Sequence, residues 1–221
     1  AEGPLRDWTK LRAWAELTRF DASAGMLPIS IDGPARVTFA EGVLNVERAE
    51  VHAGAAGISA SGTFGTSGSA VSPGSRLTIT ASGDIGDVVA AVRATGLADP
   101  PVIGGAGPVS FTARLAGSVN APILVADAAI GPATVAVPGA PLVTDLRVDA
   151  HLENDTIEVR NGFARYQGAE ATFGGLVPLT WLGKVSGNSG TAGPARVSVR
   201  ILNVTPAVLD PFLGPEALQD L

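Results

Sequence analysis

The sequence contains no cysteine and few aromatic or charged residues. Aromatic residues make up 5% and charged residues 16% of its 221 residues. Without cysteine the fold needs neither disulfides nor thiolate chemistry, so an oxidising compartment such as a periplasm is permitted. The net charge of −6 argues against a nucleic-acid surface, because that affinity rests on clustered Lys and Arg. It equally argues against electrostatic docking to an anionic bilayer.

Long apolar runs are also missing from the sequence. No stretch of about 18 apolar residues and no signal peptide is present. The most apolar stretch, Pro122 to Pro141, is interrupted by glycine, proline and Asp127. We therefore expect a soluble chain, which fits a segment of a longer protein.

Glycine, proline and apolar residues dominate what is present. The chain has 28 Gly and 16 Pro, and 46% of its residues are apolar. This composition is typical of many short strands joined by turns, and it is too apolar and too periodic for disorder. It predicts an all-β fold.

The stretch from Thr144 to Leu179 carries the clearest pattern. Apolar residues occupy every second position from 146 to 152, again at Ile157 and Val159, and again from 169 to 179. A period of two is the signature of a half-buried strand. Asn161-Gly162 interrupts the second strand as a bulge would, and Gln167-Gly168 ends it as a turn would. Three strands with one apolar and one charged face are predicted.

Internal repeats organise the rest of the chain. Residues 35–65 resemble residues 146–175, and each segment ends its last strand at Phe-Gly, which is Phe64-Gly65 in the first and Phe173-Gly174 in the second. Three further strands begin with an arginine, at Arg12, Arg76 and Arg196. The apolar residues that follow the strands at Arg76 and Arg196 have helix-like spacing. From Phe20 to Gly25 the chain is predicted to be a loop.

Between the two larger copies, residues 107–138 predict three more strands. Val109, Phe111 and Leu115 belong to the first, residues 123–130 form the second, and the third lies near residues 134–137. No clear domain boundary is visible, so residues 1–221 are interpreted as a single segment. The best candidate for a joint between repeats is the loop near residues 96–107.

The order of these features carries a family resemblance. An alternating strand leads into Gly117-Ser-Val-Asn-Ala-Pro122, and after a second strand a spacer closes at Pro141-Leu142-Val143. Strand, turn and strand with Ile157-Glu-Val follow, and then a strand into Phe173-Gly174-Gly175. This segment, from Pro108 to Leu179, resembles the AsmA-like superfamily, and within it the C-terminal region of TamB-type translocation and assembly proteins.

The resemblance implies a fold, a location and partners. The expected fold is a long, curved, mainly antiparallel sheet shaped like a taco or gutter, with an apolar inner face and one or two short helices. The expected location is the periplasm, as a segment of a protein anchored in the inner membrane that cooperates with an outer-membrane barrel of the Omp85 type. The implied role is the transport of phospholipid, or of nascent outer-membrane protein, across the periplasm.

The residues expected to contact acyl chains share an apolar side chain at an inward position of a predicted strand. They are Val37, Phe39, Leu44, Val46, Ile58, Phe64, Leu77, Ile79, Val109, Phe111, Leu115, Leu146, Val148, Leu152, Ile157, Val159, Ala171, Phe173, Val197, Val199 and Ile201. Two alternatives stay open. The same residues could form the closed dry core of a structural β-repeat, such as a stalk or an adhesin-like solenoid, or a chaperone-like groove for nascent outer-membrane strands.

Chemical motifs do not favour an enzyme. The two histidines, His52 and His151, lie among alternating polar residues, as solvent-facing side chains do. His151 shares a strand face with Asp149 and Glu153, which is also the ordinary composition of an outer sheet surface. Asp84-Ile-Gly-Asp87 is too short for a calcium loop and suits helix capping. We expect no catalytic residue, no metal and no cofactor.

Overall fold

The computed structural model describes most of the chain. The described residues are 12–24, 27–65, 76–95, 104–118, 121–136, 142–179, 194–205 and 208. The predicted joint near 96–107 lies partly outside them, because residues 96–103 are not among the described ranges.

The described residues form twelve strands and one helix. The strands are β1 (Arg12–Ala24), β2 (Leu27–Ala40), β3 (Val43–Ala53), β4 (Ala56–Gly65), β5 (Arg76–Asp84), β6 (Gly104–Ala106), β7 (Pro108–Ser118), β8 (Ala121–Ala136), β9 (Val143–Glu153), β10 (Thr156–Tyr166), β11 (Ala169–Pro178) and β12 (Arg196–Leu202). The helix α1 spans Ile85–Thr95. The predicted all-β fold with a short helix is confirmed.

The chain divides into two compact units. Unit 1 takes residues up to Ser82 together with 111–127, and unit 2 takes 83–110 and the residues from Ala128 onward. Neighbouring strands pair in sequence order in each unit: β1 through β5 followed by β7 and β8 in unit 1, and β8 through β12 in unit 2, where β6 pairs with β8. The consecutive pairings from β1 to β5 and from β9 to β12 are antiparallel, as predicted.

Hairpin turns of two residues explain much of this order. Glu41 and Gly42 join β2 to β3 with φ of 53° and 73°, and Asn154 and Asp155 join β9 to β10 with φ of 50° and 57°. Positive φ at both central residues is the geometry of a type I′ turn, whose twist matches that of the flanking strands. The turn predicted at Gln167-Gly168 is present between β10 and β11, and the predicted bulge lies between Val159 and Gly162.

The two repeats correspond element by element. β3 and β10 are both 11 residues long, and β4 and β11 are both 10 residues long. β10 begins 113 residues after β3, and β11 begins 113 residues after β4. The bulges correspond at the same separation, between Val46 and Ala49 in β3 and between Val159 and Gly162 in β10. We call residues 35–84 the first repeat and residues 146–202 the second repeat.

This correspondence differs from the one suggested by the sequence. At a separation of 113 residues, Phe64 of the first repeat is equivalent to Val177 of the second, and Phe173 of the second is equivalent to Ala60 of the first. The two Phe-Gly pairs are therefore not equivalent. The strand led by Arg12 is not a third copy of the other two. It continues through Phe20 and forms a hairpin with β2, so the predicted loop from Phe20 is wrong.

A second prediction is also corrected. The strands expected at residues 123–130 and near 134–137 are one strand, β8, which passes through Gly131 at a φ of 117°. The three-residue strand β6 pairs with the end of β8, so the residues after Gly131 stay in the sheet. Proline removes a ladder donor and is rare in the interior of a sheet, so Gly131-Pro132 resembles a break in the sequence.

The helix α1 begins at a capped and anchored site. The Asp84 carboxylate accepts hydrogen bonds from the backbone N–H of Gly86 at 2.9 Å and of Gly107 at 2.8 Å. The first bond is an N-cap, as predicted for this motif, and the second ties the helix start to the segment that enters β7. Ile85 and Val89 of the helix then pack with Val135 of β8 in the one described cluster of buried apolar side chains.

Candidate functional site

Strand register assembles the predicted apolar residues of unit 1 on one side of the sheet. Residues directly opposite each other on antiparallel strands project from the same face. Successive pairings link Val37 to Val46, Phe39 to Leu44, Leu44 to Phe64, Val51 to Ile58, and Ala60 to Ile79. We call this surface the first apolar face; its predicted members are Val37, Phe39, Leu44, Val46, Ile58, Phe64, Leu77 and Ile79.

The same reasoning places the residues of unit 2. Leu152 lies opposite Ile157, Ala150 opposite Val159, and Val148 opposite Gly162. The next two strands continue the rows from Gly162 to Phe173 and then to Val199, and from Ala171 to Ile201. We call this surface the second apolar face; its predicted members are Val148, Leu152, Ile157, Val159, Ala171, Phe173, Val197, Val199 and Ile201.

Strand β7 contributes the three remaining candidates apart from Leu146. Val109, Phe111 and Leu115 occupy every second position along it together with Ala113, which is 3% exposed. The alternation puts them on the side of the buried alanine. Phe111, at 37% exposed, is the most accessible of the three.

Burial on these faces is incomplete. None of the described large side chains is less than 2% exposed, and Val46 and Phe64, the most buried of the predicted members of the first apolar face, each keep 8% of their surface exposed. A closed sandwich core interdigitates side chains from two layers and buries the largest of them completely. The described residues therefore lack the central feature of a dry two-layer core.

Leu146 is the exception among the candidates. It packs against the cluster formed by Ile85, Val89 and Val135, with Ile130 on the same cluster. The apolar side of α1 thus covers this position. Among the candidates, Leu146 has a structural partner that the sequence pattern did not indicate, because helix and strand are about sixty residues apart in the chain.

The opposite side of the sheet is mainly polar, although Trp14 and Leu176 are exposed on it. In unit 1, Arg36 bridges Glu16 at 3.0 Å and Glu47 at 3.4 Å across three strands. The Glu16 hydrogen bond, followed by the charges of Glu16 and Glu47, raises the pKa of Arg36. Ser59 and Thr80 share a hydrogen bond of 2.6 Å on the same side. Such exposed pairs contribute little stability, but they keep this side hydrated and fix which face is apolar.

Unit 2 has a comparable polar side. Arg165 contacts Glu170 at 3.0 Å and Asp145 at 3.3 Å, and its guanidinium lies 5.5 Å from the centre of the Phe163 ring. A shallow cavity of about 580 Å³ lies nearby, and its lining includes Arg147, Phe163 and Arg200. Arg147 is engaged by Asp145 at 2.9 Å. The cavity is open, and the charged residues of its lining are Arg147, Arg160 and Arg200.

The histidines do not form a reactive cluster in the described residues. His52 is exposed, and His151 lies 3.9 Å from Glu153 through its Nε2 atom. No group of three or more His, Asp and Glu side chains suited to a metal ion occurs in the described ranges.

Some members of the first apolar face were missed by sequence reasoning. Phe20 lies opposite Ile31 and Leu17 lies opposite Ala35, so both project from this face, and they are 45% and 42% exposed. The sequence pattern predicts a loop at Phe20, because the bulge between Leu17 and Arg19 interrupts the alternation along β1. Val51, opposite Ile58, carries the ordinary strand signal and was omitted.

Comparison with known proteins adds no family assignment. Protein-family profiles, curated proteins and solved structures were searched, and no match was found in any of the three. Among the described helical residues, none forms a helix of the length and apolarity that a membrane crossing requires.

Proposed function

We propose that the chain binds phospholipid acyl chains on its apolar sheet faces, as a periplasmic segment of a lipid-transport protein of the bacterial envelope. The observation that carries the proposal is the combination of register and exposure. Apolar side chains from β1 to β5 share one face, and those from β9 to β12 share another. The largest of them remain partly accessible.

The chemistry of the faces suits acyl chains. Their members are mainly Val, Ile, Leu and Ala with few Phe, which gives a smooth surface of small and branched side chains. Each CH₂ group removed from water contributes about 0.8 kcal/mol. Eight such groups would contribute roughly 6 kcal/mol before the cost of ordering the chain is subtracted. A partly covered face is therefore sufficient to hold a lipid.

The resemblance to the AsmA-like superfamily supports the finer parts of the proposal. It supplies the curved, taco-like arrangement, the inner-membrane anchor of the parent protein and cooperation with an outer-membrane barrel of the Omp85 type.

Two neighbouring residues of β2 provide a matched test. Val37 projects from the first apolar face, Thr38 projects from the polar side, and both are half-buried. Val37→Glu introduces a charge where acyl chains would lie, whereas Thr38→Glu introduces the same charge beside the Asn45 amide, which donates to Thr38 across 3.4 Å. We expect Val37→Glu to weaken binding of a fluorescent acyl-labelled phosphatidylethanolamine at least tenfold.

The control variant should bind the lipid probe as the unchanged chain does. Circular dichroism and thermal unfolding of both variants would establish that the sheet persists. Equal binding by Val37→Glu and Thr38→Glu, with both folded, would contradict a lipid-binding role for the first apolar face. It would favour the structural β-repeat as the second candidate.

A further inference from the structure

The strand β12 has the most exposed apolar side chains of the second apolar face. All seven of its residues are exposed, and Val197, Val199 and Ile201 are 56%, 58% and 51% accessible. The strand pairs with β11 along its whole length without a register shift. It contains no proline, so the backbone N–H groups of alternate residues, those that do not bond to β11, are available as donors along the free edge.

The first repeat shows what this edge can accept. β5 occupies the position in the first repeat that β12 occupies in the second, and β7 pairs with the far side of β5. In the described residues no strand takes the corresponding place beside β12. An unpaired edge of this length is a template for another strand.

We propose that β12 pairs with β12 of a second copy of the chain, antiparallel and about a two-fold axis normal to the sheet. This symmetry preserves the two sides of the sheet, so apolar residues meet apolar residues across the joint. Centred on Val199, the pairing uses all seven residues. Val197 then lies opposite the partner copy's Ile201, and Arg200 lies opposite Ser198 of the other copy.

The charges of the strand select this register. Centring the pairing on Ser198 would place Arg196 opposite Arg200 twice, and centring it on Arg200 would place two Arg200 side chains opposite each other. Like charges directly opposite destabilise a strand pair. The register centred on Val199 pairs the full strand without opposing any two arginines.

The other outer strand is a poorer partner. A bulge interrupts β1 between Leu17 and Arg19, and Arg19 and Asp21 form an exposed ion pair at 2.8 Å on it. Bulges and charges are the usual protection of an edge strand against pairing. β12 has neither a bulge nor an acidic residue.

The joint is small. A stable specific interface buries about 1,600 Å², and a seven-residue edge buries less than that. We therefore expect a reversible dimer that dissociates on dilution through the micromolar range. Sedimentation velocity over a concentration series of the 221-residue chain would display it.

Cysteine cross-linking tests the register because the chain has no cysteine of its own. Residues opposite each other in an antiparallel pair have Cα atoms about 4.5–5.5 Å apart, within the range of a disulfide. Val199→Cys should form a disulfide-linked dimer under mild oxidation. Leu176→Cys is the control, because Leu176 is exposed but belongs to β11. We expect cross-linking of Val199→Cys at least tenfold faster.

A mixture of two single variants sharpens the test. Ser198→Cys and Arg200→Cys should cross-link to each other faster than either does to itself, because only the mixed pair is directly opposed. Charge variants act through the same pair: Ser198→Glu should strengthen the dimer by facing Arg200 of the other copy, and Ser198→Arg should weaken it at least tenfold.

Four results would overturn the proposal. The first three are a monomer at every concentration, cross-linking of Val199→Cys no faster than that of Leu176→Cys, and equal self-association of the Ser198→Glu and Ser198→Arg variants. Pairing of β12 with β1 of a second copy would also overturn it, and it would appear as cross-linking between Val199→Cys and a cysteine placed in β1. Because Ser198 and Arg200 lie on the polar side, their variants leave the lipid proposal testable by itself.

Discussion

The first and second repeats have the same backbone plan but differ in how their last strand is covered. β3 and β4 match β10 and β11 in length, in turn position and in bulge position. In the first repeat Leu77 and Ile79 of β5 are half-buried, whereas the corresponding Val197 and Val199 of β12 are more than half exposed. Neighbouring strands, and not the alternating pattern itself, decide how much of the apolar face is accessible.

The comparison also explains a shared glycine. Gly62 in β4 has a φ of 120° and Gly175 in β11 has a φ of 143°, and the two positions are 113 residues apart. A Cβ atom at Gly62 would collide with the carbonyl oxygen of Arg76, and one at Gly175 with that of Arg196. At this position the backbone of the next strand approaches so closely that only glycine fits.

Alanine at these glycines should give the largest effect and separate the two repeats. We expect Gly62→Ala to lower the free energy of unfolding by roughly 2–4 kcal/mol, through positive-φ strain and the collision with β5. Gly175→Ala should cost about 1–2 kcal/mol, because β12 has no described strand on its far side and can shift away. Urea unfolding would measure both.

Gly57→Ala serves as the control for this pair. Gly57 lies in β4 without a positive φ, and its nearest contact for a Cβ atom is the His52 ring at 3.8 Å, an ordinary distance. We expect a change within about 0.5 kcal/mol. A larger loss for Gly175→Ala than for Gly62→Ala would refute the view that β12 is the less constrained strand.

Truncation of equivalent apolar residues should give a smaller difference of the same sign. Ile79→Ala removes a half-buried side chain held between two strands, and we expect a loss of about 1–2 kcal/mol. Val199→Ala removes a side chain that is 58% exposed, and a few tenths of a kcal/mol are expected. Unfolding should be measured at low protein concentration, where self-association does not contribute to stability. Equal losses would mean that both strands are equally covered in solution.

The smallest predicted effect concerns the helix that follows β5. The hydrogen bonds from Gly107 and then Gly86 hold the pKa of Asp84 below its usual range. A lowered pKa in the folded state means that the stabilisation is present above the unfolded-state value, about 3.9, and is lost as the pH falls through the folded-state value. Asp84→Asn should therefore reduce the dependence of stability on pH below about 4.

Thermal unfolding from neutral to acidic pH would measure this prediction. Asp87→Asn provides a control, because Asp87 also lies in the first turn of α1, where acidic residues favour the helix. The two variants should differ in the acid limb of the profile. Identical profiles for Asp84→Asn and the unchanged chain would show that the link between Asp84 and Gly107 contributes nothing.

Most strands could be predicted from the sequence because their signal is local. Alternation, the Asn161-Gly162 bulge and the Gln167-Gly168 turn each depend on neighbouring residues, and the structure contains all three. The bulge between Leu17 and Arg19 broke the pattern and hid Phe20 on the first apolar face. Gly131-Pro132 gave a local signal for a break, but pairing with β6 keeps the chain in the sheet.

Long-range features were beyond the sequence pattern. The packing of Leu146 against Ile85 and Val89 depends on where the chain returns after α1, and no local period encodes it. The equivalence of the repeats was visible, but shared Phe-Gly letters suggested a wrong alignment. Bulge and turn positions fix the separation of 113 residues, and Gly62 and Gly175 agree with it.

The most direct test of the central claim is mass spectrometry of the purified chain under native conditions, followed by lipid extraction. The proposal predicts co-purifying phospholipid bound to the folded chain, with the bound fraction reduced in Val37→Glu and retained in Thr38→Glu. A folded chain that carries no phospholipid and acquires none when incubated with phosphatidylethanolamine vesicles would contradict it. The apolar faces would then be structural surfaces of a β-repeat.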